Sequence, residues 1–315
     1  MYPLQDKIWN ALAANSTLIK SDISLRNRQE IVIMCKHFAQ IFIIGHGVRP
    51  LIALFFLISL TFAADLTNPQ LSVSQQKELD SLAQSFHVAA CDSLSLAASL
   101  GRTPPCRMAV FMAPFAKWLV GKGKTLDECK KDCIARSECM ESKTCFKIDV
   151  SDLPAAGDKG APVSIVVYMS AMCPLCKYLA CEMYREVTAG ALKGKAGLLA
   201  KPFTSGTGDR ALVAACNYGK YWDYIIALNN IKMRPDEPIL LRVADSLGMP
   251  KAFKNLLTDT TIMQRLEGFR KEGEINGVTM TPTFFINGKR YRSYKDPQWV
   301  VDAALYEYEG LKAGR

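Results

Sequence analysis

Apolar and polar positions divide the chain into segments of different period. Leu51 to Ala63 is almost wholly apolar. Ser74 to Phe86 then spaces Leu79, Leu82 and Phe86 along one face and predicts a helix. Arg107 to Val120, carrying Met108, Val110, Phe111, Phe115, Trp118 and Leu119, predicts a second, with Pro114 inside it and Gly121 at its end. Residues 150–163, with Pro154, Gly157, Gly160 and Pro162, read as a linker. Val163 to Met169 predicts a buried strand, followed by a helix on which Leu175, Leu179 and Met183 recur every four residues and face a core. Ala196 to Phe203 predicts a second strand. From Asp209 to Gly273 the pattern is helical throughout: Asp236 caps a helix that has Pro238 near its start and Gly248 beyond its end, and Ile262, Leu266 and Phe269 form a later stripe. Strand signals return at Thr283 to Ile286, where Asn287-Gly288 predicts a tight hairpin into Lys289 to Arg292. Asp296-Pro297 opens a last helix carrying Trp299, Val300, Leu305 and Leu311.

Composition narrows the class. With 49% hydrophobic and 22% charged residues over 315 positions, the chain reads as globular, with room for one large or two modest domains. The net charge of +9 is not gathered into a Lys/Arg stripe interleaved with aromatics, so no nucleic-acid partner is expected. The apolar run from Leu51 is preceded by Arg49 and followed by small residues and Asp65. That is the outline of a secretory signal sequence, with cleavage near Ala63 or Ala64. The run is shorter than the roughly 20 apolar residues of a membrane span, although a retained N-terminal anchor is the competing reading. Some fifty residues before it exceed a normal basic leader, so Met34 is the expected true start. Residues 1–64 are accordingly read as leader, and the protein as periplasmic or otherwise exported. No cysteine stands at the cleavage site, which argues against a lipoprotein anchor.

Export changes how the 11 cysteines are read. Those after the leader are Cys91, Cys106, Cys129, Cys133, Cys139, Cys145, Cys173, Cys176, Cys181 and Cys216, and in an oxidising compartment most should be paired. Cys173-Pro174-Leu175-Cys176 follows an apolar strand and opens a helix. Two cysteines three apart lie on neighbouring parts of a helical face, and Pro174 suits the first helical position. A thiolate on Cys173 would face the unpaired N–H groups at the positive end of the helix, which favours its reactive form. Zinc ligation or a structural disulfide is the plainer alternative for the pair; zinc would need further ligands in step. Cys129 and Cys133, four apart, share one helical face. The expected arrangement is a short helical hairpin stapled through Cys139 and Cys145, with Cys91 paired to Cys106 across Pro104-Pro105. Eight cysteines outside the active pair allow 105 connectivities, so spacing leaves the pairing open. A metal site built from the four is a competing reading, but export and the lack of a nearby histidine argue against it. Cys181 is poorly placed to join the dithiol, and is either a buried free thiol or a partner for Cys216.

The order of strand, CxxC helix, strand, helical block, hairpin and final helix resembles the DsbA-like thioredoxin family from about residue 146 to 311. The residues that carry the likeness are Gly160 to Tyr168 before the dithiol, Gly219-Lys220-Tyr221-Trp222 in the helical block, and Gly277 to Lys289 around Thr281-Pro282. The resemblance implies an α/β thioredoxin fold with an inserted helical domain, preceded by a cysteine-rich helical N-terminal region. The boundaries are 65–148 for that region, 149–208 and 276–315 for the two parts of the thioredoxin fold, and 209–275 for the insertion. It also implies a cis peptide between Thr281 and Pro282, which would orient an extended substrate chain beside Cys173, the attacking cysteine, and Cys176, the resolving one. Exported proteins with cysteines would be the substrates, a membrane redox partner would reoxidise the dithiol, and no cofactor or metal is expected. Departures bear on direction. The best-known oxidases of the family have histidine where Leu175 stands; leucine offers neither charge nor hydrogen bond, so a less oxidising couple is expected. An oxidase is the first reading. A disulfide isomerase or reductase kept reduced by an electron donor is the second, and a non-catalytic metal- or peptide-binding module the third.

Overall fold

In the computed structural model, residues 71–158, 160–231, 234–292 and 295–314 are described. The leader, its apolar run, Met34 and the expected cleavage near Ala63 or Ala64 lie outside them.

Among the described residues the first helix starts where Ser72 and Gln75 cap each other, side chain to backbone in both directions. It runs over Val73–Ser85 (α1). A two-stranded ribbon of His87–Val88 (β1) and Leu94–Ser95 (β2) leads to Leu96–Leu100 (α2) and Arg107–Gly121 (α3). A disulfide joins Cys91 to Cys106, Cα to Cα 5.9 Å, and ties the ribbon to the start of α3. Pro114 stays inside α3, which buries Met108, Met112, Phe115 and Leu119; Val110 instead faces outward. Thr125 and Glu128 form a second capping box and open Leu126–Glu141 (α4).

This helix corrects the expectation of a stapled hairpin. Cys129, Cys133 and Cys139 stand on the single helix α4, and Cys145 lies beyond its end. Among the described residues Cys91–Cys106 is the one disulfide; Cys129, Cys133, Cys139, Cys145, Cys181 and Cys216 are free thiols. Cys129 lies within reach of the Glu78 charge on α1, Cys139 is bonded by the Arg292 backbone, and Cys145 lies beside the turn at Gly288. Cys181 donates toward Ile225 O, whereas Cys216 donates toward Leu212 O and faces Arg265 and Asp152.

The second part of the chain builds a five-stranded sheet in the order β3-β5-β4-β6-β7. Its elements are Ala156–Gly157 (β3), Val163–Met169 (β4), Pro174–Thr188 (α5), Ala196–Pro202 (β5), Thr207–Cys216 (α6), Tyr221–Asn229 (α7), Glu237–Ser246 (α8), Phe253–Leu256 (α9), Thr260–Ile275 (α10), Thr283–Ile286 (β6), Lys289–Tyr291 (β7) and Pro297–Lys312 (α11). The stretch read as a linker thus contains a short strand, β3, antiparallel to β5. β4 runs parallel to β5 and buries all its residues but Ser164, the pattern of a strand covered on both faces. β6 is antiparallel to β4, with Thr283 opposite Tyr168. That register brings the start of β6 beside the end of β4. Asn287 and Gly288 both take positive φ, 48° and 76°, the requirement of the two-residue turn that joins β6 to β7. The Asn287 side chain also accepts the Ser164 N–H at 2.8 Å. This is a thioredoxin fold with a helical block, α6 to α10, between its second and third long strands.

The N-terminal helices do not stand apart from it. Pro69–Arg315 forms one compact unit. Arg136 of α4 has no exposed side-chain surface: its guanidinium bonds the Tyr291 hydroxyl and the Asp302 carboxylate and lies over the rings of Phe115 (4.7 Å) and Trp299 (5.1 Å). Phe115 and Trp118 of α3 meet Trp299 of α11 edge to face, at 5.0 and 5.3 Å. Leu311, expected on the inner face of α11, is exposed.

Candidate active site

The strand β4 ends at Met169, and Ser170 to Met172 turn the chain into α5. The Ser170 carbonyl accepts the Cys173 N–H at 3.0 Å. Cys173 is the N-cap of α5, with extended backbone, and its sulfur accepts the Cys176 N–H at 3.3 Å, while Pro174 takes the first helical position. The attacking position is therefore where an unpaired helix N–H points at sulfur. Cys173 is half-buried; Cys176 is wholly buried. Burial first, then a hydrogen bond with the Cys173 thiol, pushes the Cys176 thiol up to about 12. The asymmetry suits one sulfur that meets a partner and one kept protonated until the first has reacted.

Thr281, more than a hundred residues later, completes the site. Its peptide bond to Pro282 is cis, and its side chain bonds the Cys176 sulfur. Thr283 donates its hydroxyl to Met280 O at 2.6 Å and fixes the approach to β6. Leu175 is half-buried at the rim of the site and does not enter the core with Leu179 and Met183. Thus Cys173, Cys176, Leu175, Thr281 and Pro282 come together, whereas Cys91, Cys106, Cys129, Cys133, Cys139 and Cys145 belong to the N-terminal helices. Cys181, on the far turns of α5, and Cys216, at the end of α6, stand outside the site; burial raises both thiols, to about 12 and about 11. Among the described residues no group of three His, Cys, Asp or Glu side chains is placed to hold a metal ion.

The family model described as thioredoxin matches residues 150–303. These residues are a thioredoxin-family domain. Solved structures to which the chain is similar include BdbD from Bacillus subtilis, in its oxidised form. It is 19% identical, with 53% of this chain and 98% of that one covered, at a TM-score of 0.46. A thioredoxin-like oxidoreductase from Silicibacter pomeroyi DSS-3 is 20% identical, with 50% and 94% covered and a TM-score of 0.45. DsbA of Pseudomonas aeruginosa is 18% identical, with 53% and 92% covered and a TM-score of 0.41. No curated protein matches the chain.

Three polar residues around the thioredoxin-family dithiol escaped the sequence reading. Lys177 follows Cys176 directly and is buried, its ammonium donating to Leu228 O at 2.9 Å and Ile231 O at 3.4 Å; burial lowers its pKa. Its signal was available, since Lys177 is four residues from Cys173 on one helical face. Asp209 and Thr204 lie under the turn before Cys173. Nothing local marks them, because the parallel pairing of β4 with β5 is what brings Thr204 and α6 beneath that turn.

Proposed function

We propose that the protein is an exported, DsbA-like thiol–disulfide oxidoreductase acting on proteins, working as a dithiol oxidase. The observation that carries this is the meeting of a half-buried helix-capping sulfur, a buried second sulfur and the Thr281 side chain. In the oxidising direction a substrate thiolate attacks the Cys173 sulfur of the Cys173–Cys176 disulfide. The S–S bond breaks, and the electron pair leaves on Cys176, which takes up a proton. A second substrate thiolate then attacks the substrate sulfur of the mixed disulfide and expels Cys173, so the substrate is oxidised by two electrons and the enzyme is left as a dithiol. Thr281 and Pro282 border the place where an extended chain would lie. A membrane redox partner would return the enzyme to its disulfide. The signal-like run from Leu51 supports export.

Leu175 favours attention to a second reading, a disulfide isomerase or reductase, because an apolar dipeptide residue gives the reduced form no added support. Alkylation trapping in the producing cell separates the two: a mostly oxidised Cys173–Cys176 pair is expected, and a mostly reduced pair would replace the oxidase by the isomerase or reductase. A Cys176→Ser variant should accumulate mixed disulfides with exported proteins through Cys173. Failure to do so, together with stoichiometric bound metal in the purified protein, would point to a ligand-binding module instead.

A further inference from the structure

Asp209 stands in the first turn of α6 with its side chain buried. One carboxylate oxygen accepts the Ala171 N–H at 2.7 Å, and the other accepts the Thr204 hydroxyl. Thr204 Oγ1 and Ser170 Oγ are 3.2 Å apart, and the Ser170 hydroxyl and the Gly206 backbone also bond the carboxylate. Most of these bonds converge on the Ser170–Met172 turn. Ser170 in turn holds both cysteines: its carbonyl accepts the Cys173 N–H, and its backbone bonds the Cys176 sulfur. The helix is pressed onto the turn as well. A Cβ on Gly208 would lie 2.6 Å from Met172 Sδ and 3.2 Å from Ala171 Cβ. One carboxylate is therefore connected through a single residue to the backbone of Cys173 and the sulfur of Cys176.

We infer that Asp209 is a positioning residue for the dithiol, bracing the Ser170–Met172 turn against Cys173 and Cys176, and that the hydrogen bonds its carboxylate accepts set their thiol–disulfide equilibrium. Ionised, the carboxylate only accepts, and every surrounding donor is satisfied. Protonated, it must donate, so one hydroxyl of Ser170 or Thr204 has to reverse and the brace on Ser170 changes. Burial is the main force on this group and moves its titration up to about 6. Few other charges compete for it. On α7, Tyr221 is the titratable group whose field couples to Asp209, and its hydroxyl is committed to Ala200 O. On α10, Arg265 pairs with Asp152 and faces Cys216. Arg210, next in the chain, turns away to Ser205 O and Leu257 O. The turn itself carries no charge between Met169 and Cys173.

This inference rests on the thiol–disulfide reading of the dithiol, and the experiment keeps the two apart. The equilibrium of Cys173–Cys176 with glutathione is measured from pH 5 to pH 8 for the full protein, for Asp209→Asn and for Thr204→Val, with urea unfolding in parallel. Asp209→Asn keeps the shape and stays neutral. It should differ from the natural protein about fivefold at pH 7.5, the worth of one net hydrogen bond, and converge with it at pH 5. Thr204→Val should shift the equilibrium at pH 7.5 as well. Two superimposable pH profiles, with or without a loss of stability, would make Asp209 merely structural and overturn the inference. Should Asp209→Asn fail to fold, Thr204→Val decides by the same criterion. If the natural protein does not exchange with glutathione at all, the thiol–disulfide reading falls and takes this inference with it.

Discussion

Residue by residue, the chemistry of the dithiol depends on what stands within one helical turn of Cys173. Pro174 leaves the N-cap sulfur as the acceptor of the Cys176 N–H. Leu175 adds no donor and no charge. Placing a cationic side chain there should stabilise the reduced form, so Leu175→His is expected to move the glutathione equilibrium toward the dithiol by about tenfold. Quantifying both forms after acid quench and alkylation measures this. A second residue-scale prediction concerns pH. Burial raises the carboxyls of Asp209 and Asp302 to about 6, the latter against the pull of Arg136. A carboxyl raised on folding contributes stability that is full below its unfolded value, near 4, and lost as pH rises through about 6. These two groups therefore make the protein more stable in urea at pH 5 than at pH 7.5. For Asp209 the difference between these two pH values is on the order of 1 kcal/mol. Asp302, raised to a similar value, contributes similarly, so Asp209→Asn should flatten about half of this slope.

At the scale of elements, the parts with strong local signals formed as read. Asp236 accepts the Ile239 N–H and starts α8; Asp296 and Pro297 start α11. The hairpin at Asn287-Gly288 is fixed by backbone geometry that few residues tolerate. A Cβ on Gly288 would also come within 2.7 Å of Phe146 O, whose own N–H donates to Gly288 O. Gly288→Ala should therefore cost about 1–3 kcal/mol in urea unfolding, with Asn287→Gly well tolerated. Elements without local signals were misread. β3 has two residues, too few for any periodicity, and exists because β5 offers it an edge. The hairpin expected around Cys139 and Cys145 was inferred from cysteine count, yet α4 continues unbroken to Glu141 because nothing inside it stops a helix. Thiol number says nothing about which faces the helix turns toward its neighbours.

For the whole molecule, the question is what joins the N-terminal helices to the thioredoxin-family domain. Arg136 is the central contact, an always charged group sealed among Phe115, Trp299, Tyr291 and Asp302. Arg136→Ala removes the partner of a largely buried carboxylate and empties the space between three rings. A loss of about 3–5 kcal/mol is expected, read as a fall in the urea midpoint. Because Pro69–Arg315 is one compact unit, the natural protein should unfold in a single transition. Arg136→Ala is the variant in which two transitions would separate.

The sequence by itself determined the elements with strong caps or periodicity, the redox motif Cys173-Pro174-Leu175-Cys176 on a strand-to-helix junction, and the helical block before Thr281-Pro282. These follow from local rules: spacing around a helix, turn chemistry and the needs of helix ends. Only the tertiary structure decided that Thr281 bonds Cys176, that Asp209 and Thr204 brace the turn before Cys173, and which cysteines are paired. It also decided that Arg136 is the buried link between the two parts. Each of these depends on strand pairing or helix packing between residues far apart in the chain, and no local pattern records which distant face a side chain will meet.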